Sequence, residues 1–264
     1  MSELSSRLTV PGFVQKKTDG EKIAVVTAYD YLTARIVDAS GMDAILVGDS
    51  LGNVVLGYET TLPVTMEDML RHVGAVARAS RSCLVIADMP FLSYQTGRKQ
   101  AIENAGKLLQ AGAQAVKVEG GAAVSETVAH LVMSGIPVMG HLGMLPQSVN
   151  TSGGYRMYGK TLDSVDQLKQ EAHALEESGV FSIVLELVAS ETAREISREL
   201  EVPTIGIGAG PDTDGQVLVV TDLLGMDDRF TPRHAKKYAN LSETMKNAFS
   251  TYAQEVKNGV FPER

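Results

Sequence analysis

Five times in this chain a helical segment stops, a glycine or proline breaks it, and a short apolar run begins: GMDAILVG, AGAQAVKV, MSGIPVMG, ESGVFSIVL and LEVPTIGIG. Gly tolerates the left-handed conformation that closes a helix, and Pro cannot continue one, so each joint reads as the end of a helix and the start of a strand. Short β-rich runs separated by longer segments of helical period mean a parallel sheet with crossover helices. The runs predict eight strands, at 23–29, 44–49, 83–89, 115–120, 137–143, 182–187, 203–208 and 217–221, with helices near 31–39, 66–79, 98–111, 123–134, 163–178 and 190–200. A (β/α)8 TIM-type barrel takes about 250 residues, and the chain has 264. The expectation is therefore one barrel domain over 1–264, with an N-terminal extension over 1–21 and a C-terminal helical segment over 233–264. The eighth unit is the least regular, because LVVTDLLG runs into DDRFTPRH rather than an obvious helix; a doubly wound open sheet is the competing architecture. From Arg233 to Lys257 basic residues alternate with apolar ones as in one or two amphipathic helices, expected to pack on the barrel or against another subunit.

Charged or titratable residues stand near the ends of successive apolar runs: Asp49 in AILVGDS, Asp88 in CLVIADM, Lys117 and Glu119 in AVKVEGG, His141 in PVMGHLG and Glu186 in SIVLEL. A buried strand gains nothing from an unpaired charge, which costs several kcal/mol, so the recurrence points to a shared task. In a parallel barrel all these exits open on one face, where barrel enzymes keep their chemistry.

Lys117 and Glu119 are two residues apart, and strand period two aims both inward while Val116 and Val118 point away. They could simply neutralise each other, but Asp49 and Asp88 would leave an excess of negative charge that a divalent cation relieves. The donors are oxygen and no dense Cys/His cluster is present, so magnesium is favoured over zinc. Magnesium keeps open positions for a chelating substrate, and a 2-oxo acid offers a carboxylate and a keto oxygen together. Either aspartate alone is as well explained by a helix cap or a turn, and a lone histidine at a strand end is more often a plain hydrogen-bonding residue. Glu186 is harder to dismiss: burial would raise its pKa and make it a better base near neutral pH. Ser50 opens a long Gly-containing loop, LGNVVLGYETTLPVT, of a length that is usually functional. After Asp88, Pro90 and the aromatics of MPFLSY could wall a site, and HLGMLPQSVNTSGGYRMYGK reads as a substrate-shaping loop. GIGAG at 206–210 lacks the Lys-Ser/Thr of a phosphate loop and reads as a tight turn.

Composition narrows the classes. Lys plus Arg number 24 against 32 Asp plus Glu, a net charge of −8, which argues against a nucleic-acid or anionic-lipid footprint. The lone Cys83 cannot form an intramolecular disulfide, which fits a reducing compartment. No run approaches a membrane helix and no secretory signal is visible, so a soluble, cytoplasmic protein is expected.

Taken together, VTAYD (26–30), LVGDSLG (46–52), TLPVTMEDM (61–69), ADMPF (87–91), VKVEGG (116–121), GHLG (140–143), PQSVN (146–150), GGY (153–155) and IGIGAGPDTDGQVLV (205–219) resemble the ketopantoate hydroxymethyltransferase family of pantothenate biosynthesis. The resemblance implies a magnesium-dependent barrel, one Mg2+ per subunit, in which Asp49 and Asp88 bind the metal with Glu119 beside it through water. It implies that Ser50 and Lys117 hold the oxo acid together with the aspartates, that Glu186 accepts the proton, and that His141 shares the pocket. The implied reaction transfers a hydroxymethyl group from the cosubstrate 5,10-methylenetetrahydrofolate to 3-methyl-2-oxobutanoate through a magnesium-stabilised enolate, giving 2-dehydropantoate. It also implies a homo-oligomer, often a decamer. The chain departs from the family at Leu145, where Thr is frequent before PQS, and at Leu187, Val188 and Ala189, where Cys-Val-Pro is common. Two competing functions stand: a magnesium-dependent lyase or mutase of the phosphoenolpyruvate mutase/isocitrate lyase type, which commonly carries a loop cysteine, and a non-catalytic metabolite-binding barrel, which would need no base at Glu186.

Overall fold

A computed structural model describes residues 7–228 and 232–263. The elements in chain order are α1 (Val10–Thr18), β1 (Ile23–Thr27), α2 (Tyr31–Asp38), β2 (Ala44–Val47), α3 (Leu51–Val54), α4 (Met66–Ala79), β3 (Leu84–Asp88), α5 (Arg98–Gln110) and β4 (Ala115–Glu119). There follow α6 (Ser125–Met133), β5 (Val138–Gly143), α7 (Val149–Ser152), α8 (Leu162–Glu177), β6 (Ser182–Glu186), α9 (Ser190–Glu199), β7 (Thr204–Ile207), β8 (Gly215–Leu218), α10 (Val220–Leu224) and α11 (Leu241–Lys257). The strands are parallel and close into a barrel in sequence order, β1 to β8. This is the (β/α)8 fold that the alternation predicts, and closure removes the open-sheet alternative. The chain divides into two compact units, residues up to Val217 and residues from Leu218 onward.

Strand period two sorts the barrel's residues into inside and outside. Leu84 and Ile86 precede Asp88, Ala115 precedes Lys117 and Glu119, Met139 precedes His141, and Val184 precedes Glu186, each at alternate positions. The apolar members of these series form one buried cluster with Val25, Leu46, Ile205 and Val217. The inside of the barrel is thus an apolar layer carrying polar side chains at its C-terminal end. The helices bury their opposite faces: in α4, Met69, Val73 and Val76 recur at helical spacing, and Thr65 caps the start in a capping box with Asp68.

Some boundaries differ from the sequence expectation. The eighth strand is Gly215–Leu218, not 217–221, and α10 begins at Val220; the apolar run LVV fits either period, so hydropathy alone cannot locate the joint. The extension over 1–21 contains α1, whose Phe13 is fully buried and meets Phe181 edge-on at 5.6 Å. Lys17, also on α1, donates to the carbonyls of Ser197 and Val202 at 2.7 and 3.0 Å and pairs with Asp214 at 3.0 Å. The C-terminal segment forms one helix, α11, none of whose residues is buried. Residues 1–6 of the expected extension, and 229–231 of the irregular eighth unit, lie outside the described residues.

Candidate active site

Strand register brings the polar exits together. Asp88 on β3 lies beside Lys117 on β4, Glu119 beside His141 on β5, and Gly143 beside Glu186 on β6. Asp49, just past the end of β2, donates its backbone N–H to Asp88 Oδ2 at 3.0 Å. Lys117 Nζ sits 3.1 Å from Asp88 Oδ1, 3.8 Å from Glu119 Oε1 and 3.1 Å from His141 Nδ1. His141 Nδ1 is 3.5 Å from Glu119 Oε1, and its Nε2 is 3.3 Å from Glu186 Oε2. Asp49, Asp88, Lys117, Glu119 and His141 are all buried. Glu186 is at the rim, its side chain 16% exposed, so it is less deep than the sequence expectation had it. Ser50 immediately precedes the short α3 and shares a hydrogen bond of 2.8 Å with the hydroxyl of buried Tyr29. All seven residues singled out from the sequence therefore stand at the C-terminal end of the strands.

The electrostatics follow from burial and crowding. Asp49 is held well above the usual carboxylate range, first by burial and then by the neighbouring charges of Asp88 and Glu119. Asp88 is raised by burial, with Lys117 pulling the other way. Burial opposes charge on Lys117, but the carboxylates of Asp88, Glu119 and Asp49 outweigh it and raise its pKa. For His141, burial and Lys117 both disfavour protonation, yet the carboxylates of Glu119 and Glu186 beside its two ring nitrogens raise its pKa overall. Burial would likewise raise Glu119, but the imidazole, Lys117 and the Gln147 N–H bring it below the ordinary value. Four carboxylates thus face one ammonium and one imidazole, an imbalance that a bound cation would relieve.

The donor set fits magnesium in kind. Asp88 Oδ1 and Glu119 Oε1 are buried and accept no hydrogen bond, their contacts being the ion pairs above. No group of three or more His, Cys, Asp or Glu among the described residues is arranged to hold a metal by itself. Asp49, Asp88 and Glu119 therefore share the pocket without forming a three-donor shell. Magnesium commonly binds through one or two carboxylates and completes its octahedron with water and substrate oxygens, so two aspartates suffice.

Three polar residues of this site were not singled out individually in the sequence, although Tyr94 is one of the aromatics of MPFLSY expected to wall it. Gln147 donates its side-chain amide to Asp49 Oδ2 and to the Met89 carbonyl, both at 2.9 Å, and its backbone N–H to Glu119 Oε2 at 3.0 Å. Tyr94 is buried with its hydroxyl 2.9 Å from Gln147 Oε1 and 3.1 Å from the Glu119 carbonyl. Tyr29 holds Ser50. Of the aromatics expected to wall the site after Asp88, Tyr94 turns inward whereas Phe91 is exposed. The signal available was that PQSVN and MPFLSY both place polar side chains among loop residues beside a strand exit. Gly143 is a different kind of omission. Its φ is +91°, and an added Cβ would lie 2.1 Å from the Glu186 carbonyl oxygen, so only glycine lets β5 and β6 meet there.

The family model described as ketopantoate hydroxymethyltransferase matches residues 7–264. A 3-methyl-2-oxobutanoate hydroxymethyltransferase of Acetivibrio thermocellus is 52% identical over 260 residues, covering 98% of this chain and 92% of the relative. The protein of the same name from Thermotoga neapolitana is 57% identical over 248 residues, covering 94% and 92%. Among solved structures, phosphonopyruvate hydrolase in complex with oxalate and magnesium superposes with a TM-score of 0.63 at 13% identity, covering 97% of this chain and 89% of that one. A 2,3-dimethylmalate lyase of the PEP mutase/isocitrate lyase superfamily gives 0.62 at 18%, covering 97% and 90%. These two likenesses concern the fold. On the extent of the family match and the identity to its members, the chain belongs to the ketopantoate hydroxymethyltransferase family and is an enzyme of the transferase class.

Proposed function

We propose that the protein transfers a hydroxymethyl group from 5,10-methylenetetrahydrofolate to 3-methyl-2-oxobutanoate, giving 2-dehydropantoate for pantothenate biosynthesis. The observation that carries the reading is the meeting of Asp49, Asp88, Lys117, Glu119, His141 and Glu186 at one end of a barrel, in a chain more than half identical to enzymes of that name. Asp49 and Asp88 would hold Mg2+, with Glu119 beside it through water. The related barrel of phosphonopyruvate hydrolase has been seen with magnesium and oxalate. When bound, the ion would polarise the keto group of the substrate as a Lewis acid.

The chain's own residues do the rest. Removing the proton next to a ketone is uphill for a carboxylate base by about ten pKa units, roughly 14 kcal/mol, so placement and charge stabilisation must supply the difference. Glu186 stands at the rim as the proton acceptor for C3, and His141 Nε2 at 3.3 Å orients its carboxylate. The electron pair released becomes the C2–C3 double bond and places negative charge on the keto oxygen. Lys117, kept protonated by its carboxylate neighbours, answers that charge. Ser50, held by Tyr29, offers a hydroxyl to the substrate carboxylate. C3 then bonds to the methylene carbon of the folate, and both carbon–nitrogen bonds of that carbon break; water supplies the hydroxyl oxygen, and the C3 proton and a proton of the water go to the two nitrogens, which leave as tetrahydrofolate. The enzyme acts in the cytoplasm as a homo-oligomer; its acidic composition and single buried cysteine suit that setting.

The test is to incubate the pure protein with 3-methyl-2-oxobutanoate in deuterated water, with and without magnesium, and then add methylenetetrahydrofolate. Metal-dependent loss of the C3 hydrogen followed by hydroxymethyl product is expected. Exchange without product would favour a lyase of the phosphoenolpyruvate mutase type instead, and absence of exchange would leave only a binding role.

A further inference from the structure

We propose that Gln147 is a positioning residue for the cation site, a carboxamide that ties the loop after β5 to Asp49 and Glu119 and so sets the geometry in which the paired aspartates receive the ion. The inference rests on the reading of Asp49 and Asp88 as the cation-binding pair.

The site's carboxylates come from separate strands, and something must set their mutual placement. Asp88 receives the Asp49 backbone N–H, but that bond fixes the main chain of residue 49, not its carboxylate. Among the hydrogen bonds described, the Asp49 carboxylate has one, from Gln147, 98 residues away. The same amide nitrogen donates to the Met89 carbonyl, next to Asp88, and the Gln147 main chain donates to Glu119. One buried residue therefore reaches the exits of β2, β3 and β4 from the loop after β5. With Oδ2 of Asp49 engaged, Oδ1 remains to face a cation.

Only a carboxamide satisfies this set. Its NH2 meets two acceptors, Asp49 Oδ2 and the Met89 carbonyl, while its oxygen meets the Tyr94 hydroxyl at 2.9 Å. Ionised Glu would face Asp49 and a carbonyl with no donor, and Met could neither donate nor accept strongly. Tyr94, 2% exposed, completes the arrangement by fixing which way the amide points. Its one proton goes to the nearer acceptor, Gln147 Oε1 at 2.9 Å rather than the Glu119 carbonyl at 3.1 Å. Groups that orient metal ligands in this way typically govern affinity by about ten- to a hundredfold.

The experiment uses the full chain, freed of metal, and Mn2+ as the probe, with free ion counted by electron paramagnetic resonance and folding followed by circular dichroism and melting temperature. Gln147→Met is expected to weaken Mn2+ binding about tenfold or more while the fold is kept, and Tyr94→Phe to weaken it less in the same direction. Asp88→Asn serves as the control and should abolish binding. If Asp88→Asn abolishes binding but Gln147→Met binds Mn2+ as wild type does, even at a lowered melting temperature, the positioning role is overturned and the aspartate pair stands. If Asp88→Asn binds as wild type does, both readings fall. Should Gln147→Met not fold, Tyr94→Phe decides: weaker Mn2+ binding supports the proposal, and wild-type affinity overturns it.

Discussion

Lys117 shows what one buried charge does in this protein. Its ammonium touches Asp88, Glu119 and His141 at once, so replacing it with Met would strand two carboxylates in a site without water's dielectric. Removing one partner of a buried pair costs about 3–5 kcal/mol, and Lys117→Met should lower the melting temperature accordingly, besides losing turnover. Glu186→Gln makes the contrasting case. Its rim position predicts a nearly unchanged melting temperature and retained oxo-acid binding, with turnover reduced about 10²- to 10⁴-fold in a steady-state assay. Unchanged turnover would remove Glu186 as the base. Asp38, far less conspicuous in the sequence, accepts from the N–H groups of Arg81, Ser82 and Cys83, each at 2.9 Å, and from the Ser80 hydroxyl at 2.8 Å. Partial burial pushes its carboxyl up, but those hydrogen bonds win and hold it well below the usual range. A depressed folded-state pKa gives stability that is present above the unfolded value, about 3.9, and lost as pH falls through the folded one. Asp38→Asn should therefore be less stable than wild type at neutral pH, with the difference shrinking below about pH 4 in acid-unfolding titrations. Charged residues at strand exits were legible because burial makes them costly. Asp38 and Gln147 were not, because their partners are backbone groups and side chains brought near only by the fold.

At the level of elements, α1 is the clearest departure from the sequence expectation of a mere extension. Phe13 enters the barrel's apolar cluster against Phe181, and Lys17 binds carbonyls at the end of α9. Phe13→Ala should cost about 3–5 kcal/mol in thermal or denaturant unfolding. Because the contact is at the N-terminal end of the strands and the polar site at the other, kcat of the folded fraction should stay near wild type. Loss of kcat without loss of stability would contradict that separation. The helices between strands were readable from their apolar period and caps, as in α4 with Thr65 and Asp68. The end of β8 was not, because a β-branched run satisfies a strand and the first turn of a helix equally well until its neighbours choose.

For the whole molecule, the barrel closes around an apolar layer that owes nothing to a cation, so dialysis against a chelator should abolish turnover while leaving the far-ultraviolet circular dichroism unchanged. Returning Mg2+ should restore activity and raise the melting temperature, by about 2.7 kcal/mol of added stability when the ion stands at about 100 times its Kd. A chelator-treated protein that retains full turnover would refute the metal reading. None of the helices among the described residues is long and apolar enough to cross a membrane.

The order of strands and helices, the inward parity of Lys117 and Glu119, and the set of residues at the strand exits were all determined by local sequence, because period, helix stops and the cost of buried charge act over a few residues. What the tertiary structure alone decided was which of those residues touch. The 3.1 Å pairing of Lys117 with Asp88, the sandwich of His141 between Glu119 and Glu186, and the reach of Gln147 to Asp49 depend on inter-strand register and on a loop folding back over the barrel. Those relations join residues far apart in the chain, and only closing the sheet places them within reach of one another.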